Sequence, residues 1–516
     1  MKKHLLLFAS LLAIFSCKKE AQTEDIIGYA ETISADELKE MLYVYASDEF
    51  EGRETGQPGQ KKAVDYLKNQ YESLQVPSAI TEGDYFQEVP LQIIKTPKVE
   101  MTIGEQSFNY FEDFITLTSP ETSNFDASEI VYVGYGIDHE KHNDYKDLDV
   151  KDKIVVVIAG EPKDNAGNYI ISGSKEISKW SNGRQSLRSK REAAEKNGAK
   201  AMFLLDDNLF KRYAAYYKKV EEKGGSNRLS LLAKEKTIYG FLISEKLGNA
   251  LIENISDKKD NGVVAKNIDV KYESVTVPMS SENVVSIIKG SEKPDEYVII
   301  SAHLDHNGIH DGEVFNGADD DGSGTVAMLE IAEAFKEAEK NGHGPKRSIV
   351  FLHVTGEEKG LLGSKYYTDY NPIVPLENTV ANLNIDMIGR VDPKRKDGDR
   401  NYVYLIGSDK LSTELHNLSE EVNQKYTNIE LDYTYNDEDD PNRYYYRSDH
   451  YNFAKNNIPV IFYFNGTHDD YHKATDTADK IEYDLLENRT RLVFHTAWEV
   501  ANREKAPEVD KAPAKP

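Results

Sequence analysis

From Asn283 onward the chain alternates short, almost wholly apolar runs with amphipathic stretches, and this rhythm restricts the fold more than any other feature. Tyr297 to Ala302, Ser348 to Val354, Thr379 to Ile385, Tyr402 to Ile406 and Pro459 to Phe464 read as strands. Between the first two, Ser323 to Lys340 carries Val326, Leu329, Ile331, Ala334 and Phe335 at helical spacing. Strands apolar along their whole length are covered on both faces. Joined by helical crossovers, they predict an α/β fold: a mixed, largely parallel sheet flanked by helices.

The preceding residues divide into two textures. Residues 35–75 read as helical, with caps at Ser34 or Asp36 and a break over Gly52, Gly56, Pro58 and Gly59. Residues 85–118 carry short alternating strands, so 31–125 is expected to be the N-terminal part of the α/β domain. Near Ile130 the pattern changes. Ile130 to Ile137, Lys153 to Gly160 and Ala199 to Leu205 read as strands, with a helix from about Ser186 to Asn197. Residues 126–275 are therefore expected to form a β-rich insert and 276–503 the main domain, while Glu504 to Pro516, rich in Lys, Ala and Pro, is expected to be disordered.

The N-terminus has lysines at positions 2 and 3, an apolar run from Leu5 to Phe15, and the chain's one cysteine at position 17. As a helix the run rises roughly 16 Å, short of the ~30 Å hydrocarbon core, so it reads as a signal segment (1–17) followed by a polar tether (18–30). Ile14-Phe15-Ser16-Cys17 resembles a bacterial lipobox, which implies a lipid on Cys17 and an exported lipoprotein of the cell envelope. That lipid is the only membrane attachment expected, and no protein partner is expected. One cysteine also excludes an internal disulfide and a cysteine-based zinc site. With 63 Lys and Arg against 89 Asp and Glu, the net charge of -26 argues against nucleic acid as a partner.

Five segments in the second half present metal-type side chains at, or just past, the ends of strands or the start of a helix. They are Ser301-Ala302-His303-Leu304-Asp305-His306, Asn316 to Gly324 with its triple aspartate, Thr355-Gly356-Glu357-Glu358, Asn384-Ile385-Asp386-Met387, and Asp470-Tyr471-His472-Lys473-Ala474-Thr475-Asp476-Thr477. Open α/β sheets build their sites at the carboxyl ends of strands, so segments far apart in sequence can converge. Imidazole and carboxylate donors without sulfur suit zinc, with manganese or cobalt as alternatives. Two divalent ions would be balanced by three carboxylates and a hydroxide, which lowers the cost of burying them. Such ions lower the pKa of a shared water toward ~7. The triple aspartate lacks the D-x-D-x-D-G spacing of a calcium loop.

These five segments, in this order, resemble the co-catalytic zinc exopeptidase family of the secreted bacterial leucyl aminopeptidases and glutamate carboxypeptidase. Ser47-Asp48-Glu49-Phe50-Glu51-Gly52-Arg53 adds to the likeness, and the β-rich insert resembles a protease-associated domain. The resemblance implies that His303 and Asp386 hold one zinc, Glu358 and His472 a second, and that Asp320 bridges both. It also implies a cis peptide between Asp320 and Asp321. Asp305 is expected to hydrogen-bond the His303 imidazole and fix its tautomer. Glu357 is expected to be the general base and Tyr471 the donor to the oxyanion. His306, His310, His450 and His468 read as pocket or surface residues, Ser323 as a helix cap, and Tyr444 to His450 as a pocket wall.

The expected activity is metal-dependent removal of N-terminal residues from peptides by a metal-bound hydroxide. The alternatives are a glutamate-carboxypeptidase-like exopeptidase, a single-zinc glutaminyl cyclase of related fold, and a receptor-like relative without catalysis.

Overall fold

The computed structural model describes residues 26–232, 237–258, 260–395 and 398–511, so the signal segment, Cys17 and most of the tether lie outside them. The chain forms two compact units. One runs to Leu91 and resumes at Met279; the other is Gln92–Pro278.

The first unit contains the sheet that the apolar rhythm predicts. Its strands are β1 (Phe86–Ile94), β2 (Thr276–Ile288), β3 (Lys293–His303), β4 (Arg347–Val354), β5 (Thr379–Ile385), β6 (Tyr402–Ile406), β7 (Glu430–Asp432) and β8 (Val460–Phe464). Their order is β1-β2-β4-β3-β5-β8-β6-β7. The central strands β4, β3, β5 and β8 run parallel, whereas β2 joins β4 and β6 joins β8 antiparallel. Alternation along each strand feeds two cores. Val298, Ile300 and Ala302 enter one layer with Ile461 and Tyr463; Ile299 enters the other with Val460 and Phe462.

Helices α1 (Ala35–Tyr45), α2 (Pro58–Leu74), α3 (Gly324–Lys340), α4 (Leu362–Asp369), α5 (Thr413–Tyr426) and α6 (Tyr483–Asn502) complete this unit. The break between α1 and α2 places Arg53, 1% exposed, inside the protein. Its guanidinium donates to four carbonyls, of Tyr45 (3.1 Å), Leu304 (3.1 Å), Asn316 (2.7 Å) and Gly317 (3.0 Å). It thereby ties the turn after β3 to the loop before α3.

The second unit is a mixed sheet with its own two cores, and it is larger than the insert expected from sequence. Lys98–Ile103 pairs antiparallel with Gly262–Glu273, which also pairs with Ser123–Tyr132. Residues 95–125 therefore belong to this unit and not to the α/β domain, because the ladder partners of Lys98–Ile103 lie at its far end.

Two terminal expectations also change. Residues 26–30, placed in the tether, are helical; Ile26 and Ala30 are buried, and Tyr29 stacks on Trp498 with ring centroids 6.1 Å apart. Residues 504–511, placed in a disordered tail, pack on the first unit. Asp510 and Lys511 donate their N–H groups to the Leu411 carbonyl, and the Asp510 carboxylate accepts the Thr413 N–H at 2.9 Å, capping α5. Polar composition misleads at both ends because backbone pairing and a few apolar anchors are enough to order a terminus.

Candidate metal centre

Each candidate ligand comes from the carboxyl end of a central parallel strand, or from a loop beside it. β3 ends on His303, β4 is followed by Glu357 and Glu358, and β5 by Asp386. The loop before α3 supplies Asp320, and the segment after β8 supplies His472.

The five predicted ligands converge. His303 Nε2 lies 3.1 Å from Asp320 Oδ1 and 3.6 Å from Asp386 Oδ1. On the other side, His472 Nε2 lies 3.1 Å from Asp320 Oδ2 and 3.2 Å from Glu358 Oε2. Asp320 turns one oxygen to each imidazole, the disposition a bridging carboxylate needs. The Asp320–Asp321 peptide is cis.

A residue read from sequence as pocket or surface joins them. His306 is buried, with Nδ1 2.9 Å from Glu358 Oε1 and 3.8 Å from Asp320 Oδ2. The donor atoms of His303, Asp320 and Asp386 lie within 4.8 Å of one another, and so do those of His306, Asp320 and Glu358. His303 Nε2, His306 Nδ1 and Asp320 Oδ2 are buried without a hydrogen-bond partner among the described residues. Converging orphan donors of nitrogen and oxygen type fit a divalent cation on either side of Asp320.

The electrostatics agree. Burial opposes charge on His303, yet Asp320 and Asp386 outweigh it and raise its pKa well above the ordinary imidazole value. Burial likewise disfavours the Glu358 carboxylate and Asp320 repels it, but His306 and His472 hold it down at about 2. Asp320 and Glu358 thus remain ionised and act as a focus for positive charge.

Around the centre, the three consecutive aspartates divide three tasks. Asp320 faces the imidazoles. Asp321 accepts the N–H groups of His303 (3.2 Å), Gly324 (2.9 Å) and Met387 (3.1 Å), linking two ligand loops to α3. Asp319 accepts the Gly389 N–H at 2.7 Å and faces His468 Nε2 at 3.2 Å. Asp476 then accepts the N–H groups of both Asp319 and Asp320. Ser448 donates to Asp386 Oδ2 at 2.6 Å, fixing that ligand's rotamer. His306 and Asp476 lie within the segments singled out from sequence, but the sequence assigns no role at the centre to either of them or to Ser448.

Asp305 does not hold the His303 ring through its carboxylate. His303 Nδ1 donates to the Asp305 backbone carbonyl at 3.0 Å, which leaves Nε2 free to face the centre. The carboxylate instead accepts from Thr55 Oγ1 at 2.7 Å and from the Glu357 N–H at 3.2 Å. The chain turns immediately after β3, so the carbonyl comes within reach of the ring and the side chain points away. Asp305 orients the Glu357 loop.

Burial raises the Glu357 pKa well above the usual carboxylate value against the pull of His303, and Asp386 and Glu358 add to the rise. Tyr471 stacks on His472 with centroids 3.9 Å apart; burial and the nearby carboxylates keep its phenol protonated. Ser323 stands at the N-cap position of α3 but makes no side-chain capping hydrogen bond: its hydroxyl donates to the Asp319 carbonyl and accepts the Ile388 N–H. His450 stacks on Phe462 in the core, and Asp449 is buried beside Ser364.

The α/β sheet thus gathers imidazoles and carboxylates at the carboxyl ends of its parallel strands in groups that could hold a metal ion. Residues 283–497 match the model of peptidase family M28. A probable glutamate carboxypeptidase of Arabidopsis thaliana, LAMP1, is 36% identical over 119 residues, 23% of this chain and 16% of that protein. The Bacillus subtilis (strain 168) aminopeptidase YwaD is 29% identical over 206 residues, covering 37% of this chain and 42% of its own length. These matches span less than half of either curated relative. Among solved structures, an aminopeptidase from Aneurinibacillus sp. strain AM-1 aligns over 94% of this chain and 98% of its own, at 20% identity and a TM-score of 0.48.

Proposed function

We propose that the protein is a zinc-dependent exopeptidase that removes N-terminal residues from peptides and holds two zinc ions, one on either side of Asp320. The observation that carries this reading is the shared carboxylate, with His303 and Asp386 on one side and Glu358, His472 and His306 on the other. Bound zinc supplies Lewis acidity, polarising a carbonyl and lowering the pKa of water toward ~7.

The chain's own residues supply the rest. Glu357 takes a proton from the attacking water and returns it to the leaving amine nitrogen. Its backbone N–H, held by Asp305, keeps it at the edge of the centre. The Tyr471 phenol donates to the oxygen that becomes negative as the carbonyl turns tetrahedral. Amine release from the N-terminal side fits the aminopeptidases among the relatives. A glutamate-carboxypeptidase-like activity is the second reading, favoured by the similarity to the Arabidopsis protein. The second unit is proposed to be a protease-associated domain, and Cys17 a lipid attachment site at the cell envelope.

The test is metal analysis together with hydrolysis of leucyl anilide, with and without chelator. Two zinc ions per chain and chelator-sensitive turnover are expected. One ion with no turnover would favour the cyclase reading. Turnover only of peptides blocked at the N-terminus would favour the carboxypeptidase, and two ions without any turnover a receptor-like relative.

A further inference from the structure

The second unit contains a cavity of about 790 Å³ that the metal centre does not explain. Six cations line it: Lys95, Arg184, Arg188, Arg191, Arg212 and Arg228. No aspartate or glutamate is among the described lining residues, in a chain whose net charge is -26. The concentration of positive charge is therefore local.

Its geometry follows from two helices. Arg184, Arg188 and Arg191 stand at i, i+4 and i+7 on the helix Gly183–Lys196, and so share one face. Arg212 and Tyr213 lie on the helix Asp207–Glu222, and Arg184 Nε meets the Tyr213 hydroxyl at 3.4 Å. Arg188 and Arg191 have acidic neighbours one turn on, Glu192 at 2.6 Å and Glu195 at 3.7 Å. The other four have neutral partners among the described residues. Arg228 donates to Ser119 at 2.9 Å, Lys95 to Asn227 at 2.7 Å, Arg184 faces Tyr213, and Arg212 lies over the Tyr213 ring at 5.2 Å. Arg191 Nε is buried without a hydrogen bond. Glu221 stands nearby and accepts from Thr96 at 2.5 Å.

Guanidinium groups match carboxylates and phosphates with paired N–H donors. Here they are spread over separate elements, so they suit several spaced anionic groups better than one compact anion. Phe111, Leu117 and Leu187 supply apolar wall between them, and Tyr216, 61% exposed, a ring to stack on. A sulfated sugar has no apolar side chains to fill that wall. The volume is that of a small-ligand site. We propose that this cavity binds an acidic peptide segment, with glutamate or aspartate carboxylates on the arginines and an aromatic or aliphatic side chain against the tyrosines and leucines.

The test uses the full chain and a peptide blocked at both ends, acetyl-Glu-Glu-Phe-Glu-Glu-amide, so that exopeptidase chemistry plays no part. Calorimetry should show binding that weakens as salt rises from about 0.05 to about 0.3 M, whereas the Gln-Gln-Phe-Gln-Gln counterpart should not bind. The Arg184→Gln/Arg212→Gln variant should lose about tenfold or more in affinity, and Arg228→Gln should also weaken it. Arg184→Lys/Arg212→Lys keeps the charge and should retain part of the binding. Melting temperature and leucyl-anilide turnover should not move in any of them. No binding of the acidic peptide, equal binding of the neutral one, or affinity untouched by all these variants would overturn the proposal. So would binding of inorganic phosphate, ATP or a sulfated oligosaccharide in place of the peptide.

Discussion

Replacing Glu330 by glutamine should stabilise the protein in mildly alkaline solution and leave it almost unchanged in acid. Glu330 lies on α3, the helix that follows the Asp320 loop, and is 2% exposed. It accepts the Ser34 N–H at 3.1 Å, just ahead of α1. Burial pushes its carboxyl up to about 8; the Ser34 hydrogen bond pulls the other way, and Glu37, Glu333 and Glu487 push it further up. The unfolded chain releases this proton near the ordinary carboxyl value of 4.5, whereas the native chain holds it until about pH 8. Between those values the native state binds more protons, so it loses stability as pH rises. The contribution is complete below pH 4.5 and gone above about 8. At ~1.4 kcal/mol per pKa unit the interval sets an upper bound of about 5 kcal/mol, and relaxation around an ionised carboxylate reduces this to about 2–3 kcal/mol. Glutamine keeps an oxygen for the Ser34 N–H and cannot ionise. Urea unfolding of both proteins from about pH 5 to about pH 9 checks it: the gap should open with pH and then level off. A constant gap, or a variant less stable at high pH, would refute the reasoning.

Glu357→Gln should lower leucyl-anilide turnover by about 10²–10⁴-fold while leaving metal content intact; unchanged turnover would remove Glu357 from the base role. Arg53→Met strands the carbonyls of Tyr45, Leu304, Asn316 and Gly317 and should cost about 3–5 kcal/mol in a denaturant titration, with weaker zinc retention on dialysis. Stripping metal with a chelator should lower the melting temperature, and added zinc should restore it, because an ion that binds only the native state contributes about 3–4 kcal/mol at ~10²–10³ times its Kd. Cys17→Ser should abolish incorporation of a labelled fatty acid and release the protein from the membrane fraction.

The parallel sheet was legible because a strand buried on both faces is largely apolar, as β8, Ile349–Leu352 of β4 and Val298–Ile300 of β3 are, although β5 buries Asn382 and Asn384 among its apolar residues. Of the five candidate ligands, His303, Glu358 and Asp386 were legible for the same reason, since they stand where those apolar runs stop, whereas Asp320 and His472 lie in loops and were named by the resemblance. Pairing between distant segments was not legible. The ladder of Lys98–Ile103 with Gly262–Glu273 sets the true edge of the second unit, and nothing within residues 92–125 announces it. The packing of 504–511 depends on the Leu411 carbonyl, a group present in every residue and so without a signature. The role of Asp305 depends on which of its oxygens meets the His303 ring, a matter of one turn's geometry and not of residue type.

His306 and Gly317 show how two readable features become informative only together. A histidine after the His303 turn is unremarked alone, and a glycine before a triple aspartate passes for a flexible loop. In the structure Gly317 has φ of 53°, and a Cβ added there would stand 2.2 Å from the Asp320 carbonyl oxygen and 2.5 Å from the His306 ring. Any side chain would displace either the Asp320 backbone or the His306 imidazole. The glycine therefore sets the distance between the two loops, and Arg53 clamps it by accepting no other arrangement of the Asn316 and Gly317 carbonyls. The centre is thus shaped as much by the absence of a methyl group and by a buried guanidinium as by the ligands themselves.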